Sequence, residues 1–348
     1  MVSKQQVRIS QLARSRKERV GYYRWLGNEY VELDRLVEGI QTHCSKQIEA
    51  KTYLVLTDRS EVNLQGHAGR LKKGVGVVGN NRDLGFFIQP SLVLDESGMA
   101  IGLSSIYSWT REVGHHNKQE RNYRQQPIEE KESNYWLLGA QQTKQTLAKA
   151  TQIIQVADRE SDIYEEWSTI PDERCHLLIR ACRNRKLKEG GYLFEHLSAQ
   201  DLAGNYELEL KGDARIGRSR RTAHIEVRFS KVRLQRPAGL GNEYPEWVEL
   251  YAVEAKEVSP PAGEPPIHWR ILTTYAVHTL ADALQVIEWY SWRWGIEEVF
   301  RLLMKDGFDI EDSLLSGGVR LSRGQIQVST PCKHSSISRG SGNSPLEI

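Results

Sequence analysis

Two short apolar runs, each followed by an aspartate, most strongly constrain the fold of this chain. Residues 53–57 and 152–157 are rich in aliphatic and β-branched side chains, and Asp58 and Asp158 follow them directly. Runs of this length and composition predict buried β-strands. Ligand sites in open α/β sheets gather at the carboxyl ends of the strands. We therefore expect an α/β fold in which the two carboxylates converge.

A third acid lies in a segment that is both charged and strongly apolar. Tyr290, Arg293, Glu297 and Arg301 recur at offsets that share one helix face, and large apolar residues surround them. Charged groups among so much apolar surface need partners, which a metal and a phosphate would supply. The alternative is an amphipathic helix with an ordinary Arg293–Glu297 pair.

Asp58, Asp158 and Glu297 together predict a site for hard divalent cations, which prefer carboxylate oxygens. A pair of such ions can clamp the attacking and leaving oxygens of an in-line phosphoryl displacement. For either aspartate alone the alternative is a turn or helix N-cap residue. Acids at positions 158, 160 and 162 are indeed typical of a helix start.

The charge of the chain is unevenly distributed. The 348 residues carry a net charge of only +2, so the molecule is not a general polycation. Basic residues nevertheless concentrate in segments 1–24 and 180–236. Basic stripes in a near-neutral protein suit a polyanion such as nucleic acid, although solvated surface charge would give the same pattern.

Cysteine and histidine usage indicates no structural metal or disulfide framework. The four cysteines show no ligand spacing, which is typical of reduced thiols in a cytosolic protein. The pair His115-His116 lacks a nearby third ligand, so we interpret it as a loop. The sequence contains no signal-peptide core and no stretch apolar enough for a membrane span. We expect a cytoplasmic protein.

These motifs resemble those of the DDE transposases of bacterial insertion sequences, in the insertion-sequence-four-like branch with the signature Tyr-x2-Arg-x3-Glu-x6-Lys. Tyr290, Arg293 and Glu297 match that signature. Segments 56–61, 130–137 and 156–163 match other family motifs in the family order. The resemblance runs from about residue 22 to about residue 312.

The resemblance implies an RNase H-like catalytic core and cut-and-paste joining of DNA ends. Asp58, Asp158 and Glu297 would hold two Mg²⁺ ions, with Mn²⁺ as a substitute. The expected partner is double-stranded DNA at the ends of the element, bound by a homodimer in the bacterial nucleoid.

The resemblance also implies DNA contacts around the acids. Tyr290, Arg293 and Arg180 would contact phosphates, Trp269 would stack on a flipped base, and Trp294 would line the same pocket. For Arg180 the alternative is an ordinary surface arginine. For Trp269 it is a core residue of a strand.

The chain departs from the family pattern in three places. Met304 occupies the position of the signature lysine, so Arg301, on the same face, or the adjacent Lys305 would have to contact the phosphate. The N-terminal basic region is short for the family. Residues 313–348 are rich in Ser and Gly and lack a helical period, which predicts a disordered, aberrant tail. The simplest hypothesis is a frameshifted or truncated gene copy.

Strands are also predicted over 176–180 and 269–274, and the alternating patterns at 206–210 and 223–229 indicate further strands. Residues 86–94 and 99–105 predict a β-hairpin around the turn 95–98, and helices are predicted over 129–150 and 280–305.

We predict four regions from these patterns. Residues 1–50 would form a partial helical DNA-binding segment, 51–186 and 267–312 the catalytic core, 187–266 a β-rich insertion, and 313–348 the tail. The predicted function is that of a transposase, either intact or as a truncated or degraded copy. The alternatives are a DNA-binding relic that inhibits intact transposase and an RNase H-fold nuclease without strand joining.

Overall fold

A computed structural model describes most of the chain. The described residues are 13–26, 28, 30–69, 75–112, 126–210, 212, 219–264, 266–301 and 304. Lys305, the histidine pair at 115 and 116 and the segment 313–348 lie outside them, as do the predictions made for those residues.

The described helices and strands are interspersed along the chain. The helices are α1 (Arg16–Leu26), α2 (Leu33–Ser45), α3 (Asn134–Thr146), α4 (Tyr164–Thr169), α5 (Leu193–Ser198), α6 (Leu280–Ser291) and α7 (Trp294–Arg301). The strands are β1 (Thr52–Thr57), β2 (Ser60–Asn63), β3 (Gly85–Leu94), β4 (Ala100–Trp109), β5 (Gln152–Ala157), β6 (Cys175–Arg180), β7 (Gly204–Leu210), β8 (Arg221–Gln235), β9 (Trp247–Glu257) and β10 (His268–Thr273).

All ten strands belong to one sheet. At its centre β1, β5 and β6 are parallel neighbours. On one side β3 runs antiparallel to β1 and pairs with β4 along its other edge. On the other side β10, β9, β8 and β7 continue the sheet with antiparallel pairing. The fold is therefore mixed α/β around one large sheet.

Apolar clusters cover both faces of this sheet. One includes Val286, Ile287 and Phe300 from the C-terminal helices, and the other includes Trp136 and Trp167 from α3 and α4. Strands β1 and β5 are buried at every position after the first. A strand covered on both faces must be apolar throughout, which explains the two runs recognised in the sequence.

The sequence predicted the central strands and the following hairpin correctly. In the turn between β3 and β4, the Asp95 carboxylate accepts hydrogen bonds from the amides of Ser97 and Met99. Gly98 adopts a φ of +80°, a conformation that glycine takes without steric cost. The strands β2 and β9 were not predicted.

Two predicted helices were too long. The helix predicted over 129–150 is confined to α3, after a single 3₁₀ turn at Ile128–Glu130. The helix predicted over 280–305 is divided into α6 and α7 by a turn at Trp292 and Arg293. The amides of both residues bond to carbonyls three positions back, which tightens the backbone before Gly295.

The described part of region 187–266 contributes β7, β8 and β9 to the same sheet as the central strands. Region 1–50 contains α1 and α2. The division into functional domains stays a prediction. No helix among the described residues combines the length and apolar character needed to cross a bilayer.

Candidate active site

Two of the predicted acids lie side by side at one edge of the sheet. Thr57 and Ala157 are partners in the parallel β1–β5 pair, so Asp58 and Asp158 leave adjacent strands at the same level. Neighbouring strands lie about 4.8 Å apart, which brings both side chains into one region.

Backbone amides orient these two aspartates. Asp58 Oδ1 accepts a hydrogen bond of 2.8 Å from the amide of Arg59, and Asp158 Oδ1 accepts one of 2.7 Å from that of Glu160. Asp158 is also the N-cap of the 3₁₀ turn Arg159–Ser161. The cap interpretation of Asp158 is therefore correct, and it is compatible with a place beside Asp58.

Arg293 links the third acid to the first. Its Nη1 lies 2.9 Å from Asp58 Oδ2, and its Nη2 lies 2.6 Å from Glu297 Oε1. The side chains of Arg293, Asp58 and Glu297 are 16%, 16% and 33% exposed. The Arg293–Glu297 pair considered from the sequence is present, although Arg293 lies in the turn before α7, and the same guanidinium also reaches the end of β1. Charge-assisted bonds of this kind hold the two carboxylates in fixed positions.

The surroundings of Asp58 disfavour its charged form. Burial raises the pKa of Asp58 to about 7; Arg293 opposes this rise, while Asp158 and Glu297 add to it. The protein thus concentrates three acids where water screens them poorly, and Arg293 compensates only part of their charge.

Tyr290, Trp269 and Arg180 lie beside the acids. Tyr290 is buried, and burial raises its pKa against the opposing effect of Arg293 and Arg180. Its ring meets that of Trp269 edge-on, with the centroids 5.3 Å apart. Arg180 is the last residue of β6 and lies at the level of Asp158, since Ile179 pairs with Ala157. Its Nη2 donates to the carbonyl of His268 at 3.1 Å.

The other residues predicted to contact DNA differ in their exposure and in their partners within the protein. Trp269 is only 8% exposed, whereas Trp294, at the start of α7, is 47% exposed. Arg301 forms an ion pair with Glu298 one turn earlier, because that carboxylate is within reach on the same exposed surface. Met304 Sδ accepts a hydrogen bond of 4.0 Å from the hydroxyl of Ser60, so position 304 lies close to the strand end that carries Asp58.

The donor chemistry of the site fits a hard divalent cation. Asp58, Asp158 and Glu297 offer carboxylate oxygens; burial raises the pKa of Asp58, and the charges of Asp158 and Glu297 add to that rise. Within the described ranges, no three acidic, histidine or cysteine side chains are already arranged around a common ion position. In this structure the guanidinium of Arg293 supplies the positive charge between Asp58 and Glu297.

Sequence reasoning missed a second layer of charges behind the aspartates. Arg59, which directly follows Asp58, forms ion pairs with Glu160 at 2.7 Å and with Glu132 at 3.5 Å. The signal was present, because Glu132 and Glu160 both lie in segments that matched family motifs. Their relation to Arg59 is visible only in three dimensions.

The basic stretch 180–236 is more neutral than its sequence indicates. Several of its cations are paired with carboxylates, which lowers the net charge available to a polyanion. These pairs are Arg185–Asp162, Arg221–Glu257, Arg228–Glu226, Lys231–Glu249 and Arg233–Glu189.

Comparison with known proteins finds a matching family model and similar solved structures. The family model described as "Transposase DDE domain" matches residues 118–323. A cryo-EM structure of the piggyBac transposase synaptic complex with hairpin DNA is similar at a TM-score of 0.41 and 9% sequence identity. The similarity covers 86% of this chain and 50% of that one, so this chain spans about half the length of its neighbour.

Proposed function

Because this chain belongs to the transposase DDE domain family, we propose that it catalyses metal-dependent cleavage and transfer of DNA strands at the ends of an insertion element. The observation that carries this proposal is the convergence of Asp58, Asp158 and Glu297 at one edge of the sheet, with Arg293 joining two of them. Membership of the insertion-sequence-four-like branch is part of the proposal.

The strand order supports an RNase H-like core. Strands β4, β3 and β1 form an antiparallel unit, and β5 and β6 follow parallel to β1. We assign residues 51–186 and 267–312 to this core and residues 187–266 to an insertion that enlarges its sheet. The N-terminal helices would form part of a DNA-binding segment.

Asp58, Asp158 and Glu297 would hold two Mg²⁺ ions. When bound, these ions would supply activation of the attacking oxygen and stabilisation of the leaving oxygen at a phosphodiester. The protein contributes the alignment of the three carboxylates. Burial of Asp58 and Tyr290 keeps bulk water away from part of the site, which strengthens every electrostatic interaction there.

Arg293 would have two partners in succession. In this structure its guanidinium bridges Asp58 and Glu297. If Asp58 and Glu297 held cations instead, the same fork would be able to donate two parallel hydrogen bonds to a DNA phosphate. Tyr290 and Arg180 would complete the phosphate contacts from the neighbouring helix and strand.

We propose aromatic contacts to DNA bases at this site. A flipped base requires a ring face that it can reach, and Trp294 exposes more of its ring than Trp269 does. Trp269 would take part only if the DNA separated it from Tyr290, with which it now packs. Exposure thus favours Trp294 as the first stacking surface.

One observation favours the alternative of an impaired DNA-binding relic. Position 304, where the family signature has a lysine, lies beside Ser60 and carries an uncharged methionine. A phosphate near Asp58 would lose one cation there. If this loss limits activity, Met304→Lys should raise the cleavage rate about tenfold, the scale of one hydrogen bond to a charged group. Unchanged or lower cleavage would remove this support for the relic.

The function is tested by incubating the purified chain with Mg²⁺ or Mn²⁺ and DNA that carries the element's own ends. Nicked, hairpin and joined products would support transposition. Nicks without joining would favour an RNase H-fold nuclease, and binding without cleavage would favour the relic. DNA with scrambled ends is the matched control substrate.

A further inference from the structure

An ion pair spans the two loops that carry the aspartates. Arg59 directly follows Asp58, and Glu160 lies two residues after Asp158. Arg59 Nη2 and Glu160 Oε2 are 2.7 Å apart. The pair therefore closes a bridge between the ends of β1 and β5, next to the acids themselves.

The residues of this bridge also contact the acids through the backbone. The amide of Arg59 donates to Asp58, and the amide of Glu160 donates to Asp158. Each aspartate side chain is thus oriented by a residue whose own side chain is tied to the opposite loop. A shift of either loop would change the separation of the two carboxylates.

Glu132 anchors Arg59 from outside the two loops. Its Oε2 lies 3.5 Å from Arg59 Nη1, and Arg111 forms a two-pronged ion pair with the same carboxylate. Both guanidinium groups lie over the ring of Phe87, at 5.5 Å for Arg59 and 4.8 Å for Arg111. These contacts restrict the long side chain of Arg59 to one orientation.

The energy of the bridge is small compared with its geometric effect. The side chains of Arg59 and Glu160 are 23% and 49% exposed, and exposed pairs contribute at most about 1 kcal/mol to stability. Residues that orient metal ligands, in contrast, typically change metal affinity by about 10–100-fold. The bridge therefore matters more for the position of the acids than for folding.

We propose that Arg59 is a positioning residue that sets the separation of Asp58 and Asp158 for divalent cations, through Glu160 and with Glu132 as its anchor. This inference rests on the proposed function, since it requires a cation site at the two aspartates. It assigns a role to the segment around Glu132, which the three acids and the phosphate contacts leave unexplained.

The experiment measures Mn²⁺ affinity of the DNA-free full chain by water-proton relaxation, together with thermal unfolding without metal. Arg59→Gln and Glu160→Gln should each weaken Mn²⁺ binding about tenfold. The double variant should be no weaker than the worse single one, because both remove the same bridge. Arg59→Lys should retain part of the affinity.

Lys144→Gln is the matched control. The Lys144–Asp172 pair has the same 2.7 Å separation and similar exposures of 25% and 43%, but Asp172 precedes β6 at the opposite edge of the sheet. This variant should leave the Mn²⁺ affinity within about twofold and shift unfolding as little as Arg59→Gln does.

The possible failures are distinguishable. Wild-type protein whose Mn²⁺ binding is absent, or survives Asp158→Ala, would contradict the cation site and with it the positioning role. Asp158-dependent binding that Arg59→Gln leaves unchanged would overturn only the positioning role. Equal weakening by Arg59→Gln and Lys144→Gln would also overturn it, because the effect would then be one of general stability.

Discussion

Two carboxylates of this protein, Asp162 and Asp58, have opposite surroundings. Asp162 is buried and accepts hydrogen bonds from the side chains of Arg185 and Trp167 and from the amides of Cys182 and Arg183. The protein thus satisfies this carboxylate completely.

Asp58, at the candidate active site, receives far fewer hydrogen bonds. Within the described residues, its carboxylate accepts one from its neighbouring amide and one from Arg293. Two further acids add to the local negative charge.

We call the Asp162–Arg185 pair closed, because groups of the protein satisfy its carboxylate. We call the cluster of Asp58, Asp158 and Glu297 open, because Asp58 accepts far fewer such bonds. The Asp162–Arg185 pair has its donors inside the protein, so it can serve folding without any ligand. In the cluster of Asp58, Asp158 and Glu297, Arg293 bridges two of the three acids, which leaves negative charge that an added cation or a proton can neutralise. An acid in a motif therefore indicates function only when its surroundings leave it incompletely satisfied.

The largest effect is expected at the open cluster. Asp158→Ala should lower DNA cleavage by roughly 10⁴-fold, because the three acids act as one unit. The free energy of unfolding should fall by no more than about 1 kcal/mol, the scale of an N-cap. Single-turnover cleavage and urea unfolding measure the two quantities. Cleavage that survives the change would show that Asp158 does not belong to the site.

The closed pair should show the reverse pattern. Arg185→Met leaves Asp162 buried without its charge partner, so the free energy of unfolding should fall by about 3–5 kcal/mol. Arg183→Met is the control, because its side chain is exposed in the same loop and should matter by less than about 0.5 kcal/mol. Urea denaturation of both variants is the measurement. A similar loss in both would contradict the special role of the buried pair.

Glu166 is buried near Asp162 of the closed pair and tests how the stability of this region depends on pH. Burial raises its pKa from 4.5 to about 8, and Ser161 Oγ lies 2.6 Å from its carboxyl group. The folded protein keeps the proton while the unfolded chain loses it, so its contribution is complete below pH 4.5 and lost as pH rises to about 8.

Glu166→Gln should remove this pH dependence and reduce the loss of stability between about pH 5 and pH 8 by about 2–4 kcal/mol. Urea unfolding of both proteins across that range measures the difference. Added Mg²⁺ should not alter it, because Glu166 belongs to the closed region. Parallel stability curves would mean that Glu166 ionises in the folded state as it does in water.

The smallest effect concerns the arginine of the open cluster. Arg293→Lys preserves the charge but loses the two-pronged geometry, so affinity for cleaved element-end DNA should fall about tenfold. The exposed Arg82 provides the comparison, and Arg82→Lys should bind as wild type does. Fluorescence anisotropy at fixed salt measures both. Equal affinities would make Arg293 a structural residue and bring the open cluster closer to the closed pair.

The amino-acid sequence determined the central strands and the acids that follow them. Strands covered on both faces require continuous apolar runs, so β1 and β5 were visible from composition alone. The i, i+4 spacing likewise placed Arg293 beside Glu297. Local patterns could not predict that α6 ends before Arg293, because this break depends on a few backbone bonds.

Only the tertiary structure decided which charges meet across long separations in the chain. Arg293 reaches Asp58, and Arg59 reaches both Glu132 and Glu160, through sheet register and helix packing. The same packing neutralises Arg185, which the sequence had placed in a basic stripe. Short-range periodicity reports which side chains share one element, whereas the satisfaction of a charge depends on groups that folding brings from elsewhere.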